Sequence, residues 1–482
     1  MSRIWRWGRL AIGAALLVIA TVVVGGAISA NRRLPDLKPW HRLHLDDVTA
    51  AELDRTFTLQ QYAAREDQLF TAVRALEASL DPAEHTPVNR YFAGSRSHPS
   101  RADRDWNRSY ETAAAGAVRG GALLLHGLTD SPYSMRAIAE VLRDRGVYSL
   151  AMRMPGHGTV PAGLVTATWE DWLAAVRVGV RHVRGQIPES APLVIVGYSN
   201  GGALALKYAL EALDRDEPRP AKLILLSPMI GVTPAAGLAR WISMLGGVPY
   251  FAKANWIDVV PEYNPFKYNS FPANAGVQTA RLTRAIHADL DRVVESGRAA
   301  SLPPILTFQS IVDATVSAPA VFFSLYERLA GPGSELVLFD VNHLSGMDVF
   351  VQPADLAIGE RFLSASARPY RRVLVTNASA ETREAEARVV EAGQTGVQRV
   401  ALGMSWPEEV FSMTHVAVPF PVNDPLYGFE APIAPNGVPA LGRLSPRGER
   451  GVLTVGTDVL MRLTSNPFFP YVAERIGGWL AF

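Results

Sequence analysis

The chain has 482 residues, enough for two or three average domains or for one elaborated α/β domain. Its 47 Lys and Arg against 46 Asp and Glu leave a formal charge of +1, which gives no electrostatic reason to expect a nucleic-acid partner. There is no cysteine, so disulfides, thiolate metal sites and Cys nucleophiles are excluded, while the compartment is left open.

In chain order, the first feature is Leu10 to Ala30, LAIGAALLVIATVVVGGAISA, an uncharged apolar run of 21 residues that is long enough to span a bilayer as a helix. Arg3, Arg6 and Arg9 precede it, and Arg32 and Arg33 follow it. This bias predicts a cytoplasmic N-terminus (1–9), a transmembrane anchor (10–30) and an extracytoplasmic or periplasmic remainder. The rival reading is a cleaved signal peptide. Its apolar core is normally about 7–15 residues, and AISA supplies small residues for a peptidase. Residues 31–116 read as a helical preface and loop. Phe57, Leu59, Tyr62, Leu69, Phe70, Val73 and Leu76 recur at near-helical spacing, and GSRSHPSRADRDWNRS is polar and punctuated by Pro.

Over 117–482 strands alternate with helices, which predicts an α/β fold with a mainly parallel central sheet and helices on both faces. GALLLHG, VYSLAMRMPGHG, PLVIVGYS, AKLILLSP, PPILTFQSIVD and SELVLFDVN read as strands. SPYSMRAIAEVLRDRG, WEDWLAAVRVGVRHV, GGALALKYALEAL and APAVFFSLYERLA read as helices. From about 229 to 300 the alternation breaks, and a segment rich in Trp, Tyr, Phe, Pro and Asn reads as an insertion over the sheet. Farther on, RRVLVTNAS, AETREAEARVVEAG and VQRVALGM read as strand, helix, strand. A loop-rich section and an amphipathic helix, NPFFPYVAERIGGWLAF, close the chain.

Gly197-Tyr198-Ser199-Asn200-Gly201 fits G-x-S-x-G between a strand and a helix, the context that motif needs. A Ser on so sharp a turn requires small neighbours, and the following helix N-terminus favours developing negative charge. An acyl-transfer nucleophile also needs an oxyanion hole. LLLHGLTDSP, upstream, has the form of the second donor loop, so the N–H groups of Leu128 and Asn200 are the candidate donors. His126 at that strand end and His157 in MPGHG read as loop braces.

These motifs, taken in order, resemble the α/β-hydrolase superfamily. The similarity is to its branch of monoacylglycerol lipases, lysophospholipases, carboxylesterases and serine aminopeptidase-like hydrolases. It covers roughly 117–342 and resumes at the closing helix. Members often carry His before the nucleophile and Met after it, where this chain has Tyr198 and Asn200. The resemblance implies an α/β-hydrolase fold in which Ser199 is the nucleophile and the acid follows it. Asp313 ends a strand and fills that place, with Asp340 inside an apolar run as a rival. The base is then His343, 30 residues after Asp313 at the end of the next strand, or His415 in VFSMTHVAVPF, also at a strand end. If the closing helix is the one that follows the base in this family, residues 344–409 are an excursion and His415 is the base.

The function so implied is that of a membrane-anchored serine esterase or lipase. It would cleave lipid-derived carboxylic esters with an apolar acyl group and use no metal or organic cofactor. Trp241, Tyr250, Phe251, Trp256, Tyr263 and Phe266 would form a lid over the acyl pocket. The alternatives are a serine peptidase acting on amides and a non-catalytic envelope protein that keeps the fold.

Overall fold

The computed structural model describes residues 21, 24–231, 249–313, 318–329, 331–344, 353–364, 366–431, 440–445, 447 and 453–480. The strands are β1 (Tyr110–Thr112), β2 (Gly120–Leu125), β3 (Val147–Met152), β4 (Leu193–Tyr198), β5 (Lys222–Leu226), β6 (Trp256–Asp258), β7 (Phe271–Pro272), β8 (Ile305–Ser310), β9 (Glu335–Phe339), β10 (Arg371–Asn377), β11 (Glu384–Val390) and β12 (Val397–Ser405). All but β6 and β7 join one sheet in the order β1-β3-β2-β4-β5-β8-β9-β10-β11-β12. From β3 to β10 every neighbouring pair is parallel, whereas β1 and the β10-β11-β12 end are antiparallel.

The main helices are α1 (Leu59–Ala78), α2 (Arg136–Arg143), α3 (Trp169–Gln186), α4 (Asn200–Glu211), α5 (Ala273–Glu295), α6 (Pro353–Ser364) and α7 (Phe469–Trp479). Strand side chains alternate between the two faces of the sheet, so each central strand feeds two cores. Leu123, Leu125, Ile195, Leu223 and Leu225 pack with α3, α4 and α5 on one face. Ala122, Leu124, Val194, Val196, Ile224 and Leu226 pack with α2 and α7 on the other. Burial on both faces is why these strands read as unbroken apolar runs.

The preface forms α1, which starts at a reciprocal cap: Thr58 Oγ1 accepts from the Gln61 N–H, and Gln61 Oε1 accepts from the Thr58 N–H. Tyr62, Leu69, Phe70 and Val73 are its buried face. Arg153, buried just after β3, ties this preface to the sheet. Its guanidinium meets Asp47 at 2.8 and 2.9 Å and Glu66 at 3.2 Å.

Three expectations are corrected. The C-terminal unit expected as strand-helix-strand is three antiparallel strands, β10, β11 and β12. Its middle segment, rich in Glu, Ala and Arg, looks helical by composition, but its pattern has period two. Ala385, Ala387 and Val389 enter the core shared with α7, while Glu386 takes Arg388 and Arg399 at 2.9 and 2.8 Å. The excursion also contains α6, which precedes β10.

Second, the insertion at about 229–300 is not all lid. Its last part is α5, whose Leu282, Ile286, Leu290 and Val293 are buried in the same core as α4. Trp256 packs with Leu34, Leu37 and Val259, and Phe266 stacks on Tyr133 at 4.5 Å, so both serve packing. Trp241 lies outside the described residues, as does most of the apolar run Leu10–Ala30. Among the described residues no helix is long and apolar enough to cross a membrane.

Third, the segment that carries His415 is a loop rather than a strand end. β12 stops at Ser405, and Ser412 forms an isolated bridge with Val341.

Candidate active site

The turn after β4 holds Ser199 at φ 53° and ψ −114°, a left-handed conformation that costs a non-glycine residue of order 1–3 kcal/mol. The surroundings force it. The Ser199 N–H donates to Leu226 O at 2.9 Å, and its carbonyl accepts from Gly202 and Met229, both at 3.0 Å. The two flanking glycines are required by close approach: a Cβ on Gly201 would lie 2.1 Å from Leu125 O, and one on Gly197 would lie 2.3 Å from Gly201 O. Strand and helix are thereby pressed together with Ser199 at their junction, at the carboxyl end of the sheet.

The loop after β2 lies against it, since a Cβ on Gly127 would be 3.4 Å from the Ser199 Cβ. Among the described residues the backbone N–H groups of Leu128 and Asn200 donate to no protein acceptor. That loop is braced from below by His126, whose Nδ1–H donates to Gly127 O at 2.8 Å and whose Nε2 accepts from the Met154 N–H at 3.0 Å. His157 sits edge-on to it with ring centroids 5.0 Å apart, and its Nδ1–H donates to Pro155 O. Burial pushes the His157 imidazole down to about 3 and that of His126 well below the usual histidine range. Both are therefore neutral braces, which is how the sequence reads them.

Asp313 follows β8, the strand next to β5 in the sheet, and its side chain is fully enclosed. Its Oδ1 lies 3.4 Å from His415 Nδ1, and its Oδ2 accepts from Gln309 Nε2 at 3.0 Å. The loop bearing His415 is fastened to the same strand end by the Ser310 hydroxyl, which donates to Met413 O at 2.7 Å. Arg462 Nη2 approaches His415 Nδ1 to 3.3 Å. Nδ1 cannot accept from Arg462 and donate to Asp313 at once, so the ring tautomer decides between them. Burial pushes the His415 imidazole below the usual histidine range. Asp313 opposes that shift, and the charges of Arg462 and Lys267 add to it. Among the described residues the Ser199 hydroxyl makes no hydrogen bond to His415. Contacts of this kind often tighten only once substrate is bound.

His343 has other company. Its Nε2 lies 3.1 Å from Asp340 Oδ2, and its N–H donates to Asn377 Oδ1 at 2.8 Å. Asp340, His343, Glu360, Thr376 and Arg388 line a separate cavity of about 280 Å³. Of the two acids and two histidines singled out by sequence, the structure pairs Asp313 with His415 and Asp340 with His343.

Sequence reasoning missed Gln309, Arg462, Lys267 and Asp130. Asp130 is buried on the loop after β2, and burial pushes its carboxyl up to about 6 although Lys267 pulls it down. The only hint was the position of Asp130 two residues beyond Leu128. Lys267 lies among aromatics, and Arg462 lies in a loop far along the chain.

Residues 116–340 match the family model described as serine aminopeptidase, S33. Over 177 residues the chain is 30% identical to a thermostable monoacylglycerol lipase of Bacillus sp. (strain H-257), covering 36% of this chain and 66% of the lipase, just under two thirds of its length. Among solved structures, a metagenome-derived lipolytic enzyme is similar at 22% identity over 49% of this chain and 88% of its own, with a TM-score of 0.38. A soluble variant of monoglyceride lipase from Saccharomyces cerevisiae is similar at 16% identity, 48% and 81% coverage, and a TM-score of 0.39. The family match and the lipase relative make residues 116–340 similar to serine aminopeptidases and monoacylglycerol lipases, and the strained serine lies within that matched segment on its strand-to-helix turn.

Proposed function

We propose that the chain is a serine hydrolase of carboxylic esters with Ser199 as nucleophile, His415 as base and Asp313 as orienting acid. The observation that carries this reading is the Asp313 to His415 contact at the sheet end where Ser199 is held in a strained turn. Ser199 Oγ attacks the ester carbonyl and its proton passes to His415 Nε2, while Nδ1–H is held by Asp313. The N–H groups of Leu128 and Asn200 receive the oxyanion. Collapse releases the alcohol, which takes the proton from His415, and water then cleaves the acyl-enzyme by the same steps in reverse. The lipase relative supports esters of lipid origin as substrates. The apolar run Leu10–Ala30 supports a membrane anchor with the hydrolase domain on the extracytoplasmic side.

The test is labelling with a fluorophosphonate probe alongside turnover of para-nitrophenyl butyrate. Both are expected in the parent protein and both are expected to vanish in Ser199→Ala. Labelling that persists in Ser199→Ala, or a folded parent protein that neither labels nor turns over the ester, would refute the reading.

The pH profile is a second expected outcome. The base works as neutral imidazole, and burial lowers its protonation range, with Arg462 and Lys267 acting in the same sense. The acid limb of kcat/KM is therefore expected below the ordinary histidine value of about 6.5. In Arg462→Gln one of the two opposing cations is gone, so the limb moves to higher pH. A limb above that value in the parent, or one that moves downward in the variant, contradicts the assignment.

A further inference from the structure

Residues 264–268 of the insertion are fastened to the loop after β2, whose Gly127 lies against Ser199. Asn264 Nδ2 donates to the Tyr427 hydroxyl at 2.7 Å, and Phe266 stacks on Tyr133. The Tyr268 N–H donates to Thr129 O at 2.7 Å, one residue beyond Leu128, and the Tyr268 hydroxyl donates to Gly156 O at 3.1 Å. Lys267 sits between these two buried aromatics. Its side chain is deeply set yet still touches solvent. Its charge acts on Asp130 and on His415, and Arg462 acts on it in turn. Among the described residues its ammonium has no hydrogen bond and no ion pair within 4.0 Å.

An enclosed cation without a close counter-charge is costly unless something supplies the missing anion. Asp313 does not, because His415 and Gln309 occupy it. Asp130 acts only at longer range. Resting on the ester-hydrolase reading above, we propose that Lys267, with Arg462 beside the base, forms a subsite for an anionic oxygen group, carboxylate or phosphate, carried by the substrate. The enzyme then selects esters with a negative charge near the scissile bond over purely apolar acyl esters. The segment that resembles a lid thus carries a charge-reading residue, and its aromatics hold that residue in place.

The test compares kcat/KM for neutral para-nitrophenyl butyrate with two anionic esters at low and high salt. The mono-para-nitrophenyl ester of glutaric acid places the charge on the acyl side, and butyryl glycerol phosphate places it on the alcohol side. At low salt the parent protein is expected to favour one anionic ester, and Lys267→Met to lower the anionic-to-neutral ratio by about tenfold or more, the order expected for loss of a charged contact. Lys267→Arg is expected to keep most of the ratio, and added salt to erode it in the parent. A ratio unchanged in Lys267→Met, or a parent that prefers the neutral ester in low salt, overturns the proposal. If Lys267→Met does not fold, the salt dependence of the parent and the Lys267→Arg ratio still decide. Butyrate turnover by the parent tests the hydrolase reading by itself, so failure of the two is distinguishable.

Discussion

Replacing His415 by Ala is expected to lower kcat on para-nitrophenyl butyrate by at least about 10²–10⁴-fold, the contribution of a positioned general base. His343→Ala is expected to stay within about tenfold of the parent. The contrast follows from where each imidazole sits. His415 faces a fully enclosed carboxylate at the end of β8, and its loop is tied to the same strand through Ser310 and Met413. His343 is held by Asp340 and Asn377 beside a different cavity. Steady-state kinetics with circular dichroism as a folding control decides the matter. A collapse of turnover in folded His343→Ala, with His415→Ala nearly intact, would reverse the assignment. Asp313→Asn should follow His415→Ala in direction, because the neutral amide no longer stabilises the imidazolium that forms when Ser199 gives up its proton.

The two histidines also show where the sequence was readable and where it was not. The strained turn at Ser199 was legible because its constraints are local: a strand, two glycines that a Cβ would drive into Leu125 O and Gly201 O, and a helix start. The central strands were legible for a related reason. Strands β2, β4 and β5, at the middle of the sheet and covered on both faces, are filled mostly by Val, Ile, Leu and Ala. The base was not legible, because two histidines follow Asp313 and choosing between them depends on where more than sixty intervening residues fold. The β10-β11-β12 end of the sheet was misread at its middle strand. There Glu, Ala and Arg favour a helix in isolation, but pairing with both neighbours and an alternating buried face select a strand. Lys267 and Arg462 were invisible for a different reason. A charged residue in a loop has no periodicity to reveal it, and its role exists only once distant segments meet.

Arg153→Met is the second large effect, and it concerns stability. Arg153 is fully buried, and its guanidinium satisfies two carboxylates of the preface at once, Asp47 through both oxygens and Glu66 through Nε. It also donates to the carbonyl of His157, and its own carbonyl accepts from the Tyr62 hydroxyl. Met fills similar volume but leaves two enclosed carboxylates without a counter-charge. Breaking a buried pair from one side in this way typically costs about 3–5 kcal/mol. Denaturant midpoints measured at neutral pH should fall accordingly. The pH dependence follows from the sign of the Asp47 shift. Burial pushes the Asp47 carboxyl up, but Arg153 and the backbone N–H groups of Gly156 and Val48 outweigh burial and hold it below the usual range. A carboxyl depressed in the folded state stabilises the protein above its unfolded value of about 4, and that contribution is lost as pH falls through the folded value. The variant lacks this contribution and its abandoned carboxylates are raised by burial, so the stability gap to the parent should narrow as pH falls, already above about pH 4 as those carboxylates protonate and further below it as the parent loses the Asp47 contribution. Equal midpoints at neutral pH, or a gap that widens on acidification, would show that the preface is not anchored by this charge cluster. The cluster matters for the site as well, because Asp47 also accepts from the Gly156 N–H, in the loop whose Met154 N–H donates to His126 under the candidate oxyanion donor Leu128. Loosening it should reduce ester turnover even in variant protein that remains folded.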